Sequence, residues 1–255
     1  MITKVAGNGP DVALIHGWGF SSAIWEPLVE ALAQHCRVHL VDLPGYGATP
    51  ADQRDFAPTA QALVDALPAG VSLCGWSLGG MLALQAAQQA PRHIARLVLV
   101  SATPSFTQRA DWAPAQPSAL LDTFAAAVSN DLASLLQRFA ALLNQGDTQA
   151  RALTRALVGR PLDATLPDTA TLLKGLSWLR DVDLRAPVPS IALPSLLVHG
   201  ERDRLMPHGA AQWLAEQLPQ ARLEVFAGAA HAPFLADPER FAMLVSDFCH
   251  APTAG

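Results

Sequence analysis

The sequence predicts an α/β fold with a mostly parallel central sheet, flanking helices and an inserted helical cap. Short apolar runs rich in β-branched residues alternate with Ala- and Leu-rich amphipathic segments in the first half of the chain and again near its end. That alternation is typical of βα units around a parallel sheet. The stretch from Ser118 to Arg180 interrupts it, because it has helical spacing and no convincing strand where the next strand is due.

The predicted elements follow one another in a simple order. Strands are expected at Val12–Ile15, Arg37–Val41, Val71–Gly75, Arg96–Ser101, Ser195–His199 and Arg222–Phe226. Helices are expected at Ile24–Gln34, Thr59–Leu67, Leu78–Gln89, Gly209–Gln217 and Pro238–Phe248. A proline-rich boundary at 102–117 leads into the cap. We therefore assign residues 1–104 and 186–255 to the core and residues 105–185 to the cap.

Composition and charge limit the kinds of protein that the chain could be. Of its 255 residues, 51% are hydrophobic and 15% are charged, so it can bury a sizeable core. The formal net charge of −5 gives no general reason to bind nucleic acid or an anionic membrane. No apolar run reaches the roughly 18 residues of a membrane span, and Met1 to Asp11 lacks the features of a signal peptide. We expect a cytosolic, monomeric protein.

The cysteines predict no metal site. Cys36, Cys74 and Cys249 are widely spaced and lack the CxxC pairing of zinc sites. Their odd number and wide spacing do not indicate a disulfide framework either. Any chemistry is therefore expected to depend on other side chains.

The strongest chemical signal is a GxSxG motif between a predicted strand and a predicted helix. It reads Gly75-Trp76-Ser77-Leu78-Gly79. Such a nucleophile elbow places its serine on a sharp, strained turn, and the small residues on either side let the strand and the helix approach closely. Ser77 is therefore the candidate nucleophile.

Two downstream loops offer the partners that a nucleophilic serine requires. A serine hydroxyl is a weak nucleophile near neutral pH, so it needs a base and an acid that orients the base. The loop after the predicted strand 195–199 contains Asp203, the candidate acid, with Glu201 as the alternative. His231, in a later loop of small residues just before a helix, is the candidate base.

Two backbone N–H groups are candidates for stabilising the oxyanion of acyl transfer. One comes from the residue after the nucleophile and the other from the loop after the first predicted strand. These residues are Leu78 and Trp18, the latter in an HGWG motif that begins at His16. His16 itself is expected to hold that loop. Trp18, Trp76, Phe139 and Phe234 are candidates for lining an apolar acyl pocket, with Trp18 and Trp76 ranked first because they flank the chemistry.

The motifs together resemble one family. HGWG at His16, DLPGYG at Asp42, GWSLGG at Gly75, the loop ending at Asp203 and AHAPF at Ala230 resemble the BioH-type pimeloyl-acyl carrier protein methyl ester carboxylesterases of biotin synthesis. These enzymes belong to the α/β-hydrolase superfamily. The similarity runs through nearly the whole chain and is weaker in the cap. HG and GxSxG are shared by the superfamily, whereas the two tryptophans and AHAPF discriminate better.

The resemblance implies an α/β-hydrolase that cleaves the methyl ester of a pimeloyl chain on acyl carrier protein and releases methanol, without a metal or organic cofactor. The positions it implies for substrate are Trp18, Ser77, Leu78, His231 and, in the cap, Phe139, Ala140, Ala141, Leu142 and Leu143. Cap arginines would face the acidic carrier protein, and the matching candidates are Arg138, Arg151, Arg155 and Arg160. Arg151 and Arg155 are four residues apart and should share a helix face.

Other functions use the same residues. A broad-specificity short-chain carboxylesterase or a carbon–carbon bond hydrolase would carry the same three catalytic residues. An epoxide hydrolase or dehalogenase is disfavoured, because those enzymes have Asp at the position of Ser77. A non-catalytic protein that senses a ligand in the pocket is also disfavoured, since all three catalytic candidates are present.

Overall fold

The computed structural model describes residues 1–158 and 166–252 and contains one seven-stranded sheet. The strands are β1 (Ile2–Ala6), β2 (Asp11–Ile15), β3 (Arg37–Val41), β4 (Val71–Trp76), β5 (Ile94–Val100), β6 (Ser195–Gly200) and β7 (Ala221–Phe226). Their order is β1-β3-β2-β4-β5-β6-β7, and only the β1–β3 pair is antiparallel. The predicted mostly parallel sheet is thereby confirmed. The edge strand β1 was not predicted, because its short segment contains Lys4 and lacks a long apolar run.

The helices flank this sheet and fill the region between β5 and β6. They are α1 (Glu26–Ala33), α2 (Phe56–Asp65), α3 (Leu78–Gln89), α4 (Ser118–Asn130), α5 (Leu132–Leu143), α6 (Ala150–Val158), α7 (Thr169–Asp181), α8 (His208–Gln217), α9 (Pro233–Ala236) and α10 (Pro238–His250). Among the described residues, no helix is both long and apolar enough to span a membrane.

Two predicted helix starts differ from the structure by two or three residues, and a proline lies in the first turn of each helix. The segment Ser22–Trp25 is a 3-10 turn, and α1 begins after it with Pro27 in its first turn. Helix α2 begins at Phe56 rather than Thr59, with Pro58 in its first turn. Proline is tolerated there because the first N–H groups of a helix have no acceptor within it.

Helices α4 to α7 occupy the place of the predicted cap. Helix α4 packs against α5 and α7, and α5 packs against α6. A turn of the chain through Val188–Ser190 then leads to β6. The division between core and cap at residues 104/105 and 185/186 is our proposal for the domain limits.

The strand order creates a switch point beside β4. The chain passes from β2 outward to β3 and then crosses back to β4 on the other side of β2. Ligand sites of open parallel sheets lie at the carboxyl ends of strands on either side of such a point. Here Ile15, which ends β2, pairs in register with Gly75 of β4. The loops that follow these two strands are therefore neighbours.

A cluster of aromatic rings packs the last two helices, α9 and α10, against the end of β4. Trp25 and Phe234 are fully buried, with ring centroids 4.3 Å apart. Phe241 of α10 lies 6.1 Å from Trp25, and Trp76 lies 5.3 Å from Phe234. Rings at such distances contribute about 0.5–1.5 kcal/mol per pair beyond the burial of their surface. The cluster holds α9, and with it the loop that precedes α9, next to β4.

Candidate active site

Ser77 forms a strained turn between β4 and α3. Its backbone angles are φ 56° and ψ −119°, and its N–H donates to the carbonyl of Val100 on β5 at 3.0 Å. A residue with a side chain rarely adopts this conformation, which costs on the order of 1–3 kcal/mol. This conformation is what allows the chain to turn from the strand into the helix within one residue. The side chain of Ser77 is thereby held at the carboxyl end of the sheet.

Glycines allow the turn to be this tight. A Cβ on Gly79 would lie 2.5 Å from the carbonyl oxygen of His16 and 2.6 Å from that of Ile15. A Cβ on Gly17 would lie 3.1 Å from the Cβ of Ser77. The start of α3 therefore sits directly on the end of β2, and the HGWG loop runs alongside Ser77.

The two predicted oxyanion donors flank Ser77. Leu78 is the first residue of α3, so its N–H has no acceptor inside the helix. Within the described residues, the N–H of Trp18 likewise has no hydrogen-bond acceptor. Gly17, the residue before Trp18, lies against Ser77. The N–H groups of Leu78 and Trp18 therefore remain the candidate donors for an oxyanion at Ser77.

His16 supports the loop as a neutral residue. Its Nε2 accepts the N–H of Leu43 at 3.0 Å, so Nδ1 carries the hydrogen and donates to the carbonyl of Gly17 at 2.9 Å. Burial lowers the pKa of His16 to about 4. A neutral histidine with both nitrogens engaged is suited to fixing the HGWG loop and has no free lone pair for proton transfer.

His231 and Asp203 form a buried pair. The Nδ1–H of His231 donates to Oδ2 of Asp203 at 2.8 Å, and both side chains are almost fully excluded from solvent. The opposite nitrogen, Nε2, therefore carries the lone pair in the neutral ring. It is buried and has no hydrogen-bond partner among the described residues. This nitrogen is the candidate base of the site.

The surroundings of Asp203 keep it ionised. Burial by itself would raise the pKa of this carboxyl, but the attraction and hydrogen bond of His231 outweigh it and hold the pKa below its usual range. The other oxygen, Oδ1, accepts the N–H groups of Leu205 and Met206 at 2.9 and 2.8 Å. His199 lies 3.7 Å from Oδ2 and donates its own Nε2–H to the carbonyl of Met206 at 2.8 Å. Both oxygens of the Asp203 carboxylate thus accept hydrogen bonds.

The geometry separates the two acid candidates. Glu201 is half exposed, and its Oε2 accepts the N–H of Gly228 at 2.8 Å. It makes no contact with the imidazole of His231, whereas Asp203 does. The sequence could not decide between them, because both lie in one short loop and only the turn after β6 determines which carboxylate points inward.

Trp76 links the serine to the histidine loop. Its indole N–H donates to the carbonyl of His231 at 2.8 Å, and the two rings lie 5.5 Å apart. The hydroxyl of Ser77 does not hydrogen bond to Nε2 of His231 in this structure. Such bonds are often long without substrate and shorten in the reacting complex.

Aromatic rings from the core and the cap form a connected cluster that reaches Trp76, the residue before Ser77. Trp18 is stacked on Phe124 with centroids 6.0 Å apart and meets Phe139 edge-on at 5.0 Å. Phe20 lies 5.3 Å from Trp76 and 6.0 Å from Phe139. Phe20 and Phe124 are missing from the predicted site. The position of Phe20 directly after HGWG could have signalled it, whereas Phe124 lies on a helix without a motif.

The five consecutive α5 candidates are distributed around the helix. Those that are buried or half-buried are Phe139, Ala140, Leu142 and Leu143. Successive helix residues are rotated by about 100°, so they cannot all face one pocket. Ala141 is exposed and lines an outer groove with Arg151, so the structure does not bring it together with the aromatic rings. The carbonyl of Leu143 accepts the N–H of His231 at 3.0 Å.

Comparisons with known proteins agree with this geometry. A family model described as the alpha/beta hydrolase fold matches residues 10–238. A relative from Nitrosomonas europaea, named pimeloyl-[acyl-carrier protein] methyl ester esterase, is 42% identical over 248 residues, 93% of this chain and 95% of the relative. A relative of the same name from Photobacterium profundum is 39% identical, with 96% of each chain covered. The chain belongs to the α/β-hydrolase family, in the group of these esterases.

A solved structure supports the same assignment of fold. The α/β-hydrolase described here superposes on an esterase from Exiguobacterium antarcticum with a TM-score of 0.89. The two are 26% identical, and the match covers 97% of this chain and 94% of the other. The fold class and the family predicted from the motifs are therefore confirmed.

The cap arginines of this α/β-hydrolase lie on its outer surface. Arg138 on α5 and Arg151 and Arg155 on α6 are exposed, and none of them forms an ion pair within the described residues. Arg151 and Arg155 both line the groove between α5 and α6. Arg160, the fourth candidate, lies outside the described residues.

The low pKa of Asp203 makes part of the stability of this α/β-hydrolase depend on pH. A carboxylate whose pKa is lowered by folding stabilises the protein above the pKa of the unfolded chain, about 4, and this contribution is lost as the pH falls through the folded value. We expect Asp203→Asn to lower the free energy of unfolding at pH 7 by about 2 kcal/mol, since it removes a charge-assisted hydrogen bond. Thermal unfolding would show this as a decrease in Tm of about 4–8 °C.

The same comparison at acidic pH is the control. As the pH falls from about 4 through the lowered folded pKa, the Tm values of wild type and Asp203→Asn should converge, because Asp203 becomes protonated first in the unfolded and then also in the folded wild type. A difference in Tm that stays constant or grows on acidification would contradict an ionised Asp203 at the site.

Proposed function

We propose that this protein is a serine carboxylesterase that hydrolyses the methyl ester of pimeloyl-acyl carrier protein to pimeloyl-acyl carrier protein and methanol, a reaction of biotin biosynthesis. The names of its relatives support the substrate. The observation that supports the reaction type is the buried His231–Asp203 pair, whose Nε2 has no hydrogen-bond partner among the described residues, together with the strained turn at Ser77.

In the first half of the reaction, Ser77 acts as nucleophile. Its oxygen attacks the ester carbonyl carbon while Nε2 of His231 takes the hydroxyl proton. The negative charge that forms on the carbonyl oxygen is stabilised by the N–H groups of Trp18 and Leu78, each worth roughly 10²- to 10³-fold in rate. His231 then returns the proton to the departing methoxide, methanol leaves, and the acyl group is esterified to Ser77.

In the second half, water replaces the alcohol. Nε2 of His231 takes a proton from a water molecule, which attacks the acyl-enzyme carbonyl, and the same N–H groups stabilise the new oxyanion. The proton then passes from His231 to the oxygen of Ser77, which leaves as the hydroxyl. Asp203 stays ionised throughout and stabilises the transient imidazolium. The products are a carboxylic acid and the free enzyme.

The aromatic rings near Ser77 suit an acyl chain. The rings of Trp18, Phe20, Phe124 and Phe139 pack on one another and, through Phe20, on Trp76 beside Ser77, and we propose that they form an apolar wall of the acyl site. The indole N–H of Trp18 donates to the carbonyl of Leu172 at 2.9 Å, so the ring that faces the chain is anchored in α7 of the cap. Apolar walls with few polar groups bind the methylene chain and keep bulk water from the oxyanion.

We assign the carrier-protein surface to the outer face of the cap. Arg138, Arg151 and Arg155 place unpaired positive charge on α5 and α6, and we include Arg160 from the sequence. Carrier proteins of this kind are acidic, so complementary charge would speed association and fix orientation. We further propose that the enzyme works in the cytosol as a monomer, using only its own side chains, backbone amides and water.

The direct test is methanol release from methyl pimeloyl-acyl carrier protein. Wild type should release methanol, and Ser77→Ala should lower kcat by roughly 10⁵- to 10⁶-fold because the nucleophile is lost. Ser101→Ala is the matched control, since Ser101 is also buried and also has a positive φ, 43°, at the end of the next strand. This control should retain wild-type kcat.

A free short-chain ester assayed in parallel distinguishes an error in the proposed substrate from an error in the proposed mechanism. If wild type cleaves only the free ester, the carrier-protein substrate is wrong while the catalytic mechanism stands, and a broad-specificity esterase becomes the function. If Ser77→Ala cleaves either ester at the wild-type rate, Ser77 is not the nucleophile.

The carrier-protein surface makes a second prediction. Arg151→Glu and Arg155→Glu, tested singly, should each raise KM for the carrier-bound ester several-fold at low salt and leave kinetics on the free ester unchanged. The control is Arg92→Glu, which reverses the charge of another exposed arginine. Arg92 lies in the turn before β5, at the opposite end of the sheet. Equal effects of all three reversals would indicate a general charge effect and exclude a defined docking face.

A further inference from the structure

The catalytic histidine is held by the cap as well as by Asp203. The segment 144–149, which joins α5 to α6, is here called the cap loop, and residues 228–231 are called the histidine loop. The N–H of Thr148 donates to the carbonyl of Gly228 at 3.0 Å. In the opposite direction, the N–H of Ala230 donates to Oδ2 of Asp147 at 2.9 Å. Two loops from distant parts of the sequence are therefore joined by hydrogen bonds in both directions.

Asp147 is the one side chain among these contacts. It is buried, with 8% of its surface exposed, and it has no ion-pair partner among the described residues. Its Oδ1 accepts the N–H of Gln149 at 2.6 Å at the start of α6, and its Oδ2 accepts the N–H of Ala230. The two oxygens thus serve two different segments, one in the cap and one beside the base.

Among the described residues, two other aspartates of the cap make only local hydrogen bonds, in contrast to Asp147. Asp131 accepts the N–H of Ser134 at 3.0 Å at the start of α5, and Asp168 accepts the N–H of Thr171 at 2.7 Å at the start of α7. These bonds cap a helix within their own segment. Asp147 instead accepts the N–H of Gln149, two residues ahead in the turn that leads into α6, and also reaches across to the histidine loop. The local turn alone does not explain its second hydrogen bond.

The position of Ala230 contributes to the position of the base, together with the hydrogen bonds that the backbone of His231 makes with Leu143 and Trp76. Ala230 directly precedes His231, and its carbonyl would lie 1.9 Å from a Cβ on Gly200, so this backbone already approaches the end of β6 very closely. Asp203 orients the imidazole of His231 but does not determine where the backbone lies. A displacement of about 1 Å in a reacting group can cost roughly 10²-fold in rate.

We propose that Asp147 is a positioning residue for His231. By holding the N–H of Ala230, its carboxylate fixes the histidine loop so that Nε2 stays at the right distance from Ser77, and it connects the cap loop mechanically to the base. This inference rests on the proposed function only in taking His231 as the base. It does not depend on the identity of the ester.

The test distinguishes the bond to Ala230 from the local turn before α6. Asp147→Ser keeps a side-chain acceptor for Gln149, because a serine hydroxyl can close the same kind of turn, but one short hydroxyl cannot also hold Ala230. We expect kcat on p-nitrophenyl acetate to fall roughly 10- to 100-fold, with KM changed less than about 2-fold. The proton resonance of the His231 Nδ1–H should shift or broaden, since the ring moves relative to Asp203. Asp147→Asn, whose amide oxygen can still accept from Ala230, should recover most of the lost kcat.

Asp131→Ser is the matched control, because it makes the same chemical change at the start of a neighbouring cap helix without touching the histidine loop. It should leave kcat and the His231 resonance unchanged. Wild-type kcat and an unaltered resonance in Asp147→Ser would overturn the proposal, and so would an equal loss of kcat in Asp131→Ser. Methyl pimeloyl-acyl carrier protein is assayed alongside. If wild type cleaves p-nitrophenyl acetate but not this ester, the proposed substrate fails while the test of Asp147 remains valid.

Discussion

The strained backbone of Ser77 is the constraint on which the rest of the site depends. A strand can turn into a helix within one residue only if that residue accepts a positive φ and its neighbours leave room for two backbones to meet. Gly79 provides that room above Ile15, and Gly17 provides it beside Ser77. The first turn of α3 and the HGWG loop are thereby brought to the same point. The proposed nucleophile and the two proposed donor amides thus depend on one turn.

The other half of the site is assembled independently and then joined to the first. Asp203 and His231 come from the loops after β6 and β7, and the aromatic cluster around Phe234 holds α9, which begins just after His231. The indole of Trp76 connects the two halves, since it precedes Ser77 in sequence and donates to the carbonyl of His231. Asp147 adds a third connection, from the cap. The catalytic geometry is therefore determined by contacts between segments that are far apart in the chain.

The difference between local sequence patterns and contacts between distant segments explains what could be predicted from the sequence. The core strands, the elbow at Ser77 and the chain order of acid and histidine depend on local patterns, and the predicted fold and family are confirmed. The choice of Asp203 over Glu201, the contribution of Phe124 and the role of Asp147 depend on which loops meet in space. No period or motif marks such contacts. For the same reason Ala141 could be grouped with Phe139 in sequence although it faces the opposite side of α5.

The most direct measurement is to locate a fluorophosphonate probe on the protein by peptide mass spectrometry. Such probes react with a serine oxygen only when a base activates it, so labelling reports the nucleophile whatever the natural ester is. If the strained turn presents the nucleophile to His231, wild type will carry the label on the peptide that contains Ser77, and His231→Ala will carry almost none. Labelling of a different serine, or equal labelling of wild type and His231→Ala, would contradict this account of the site.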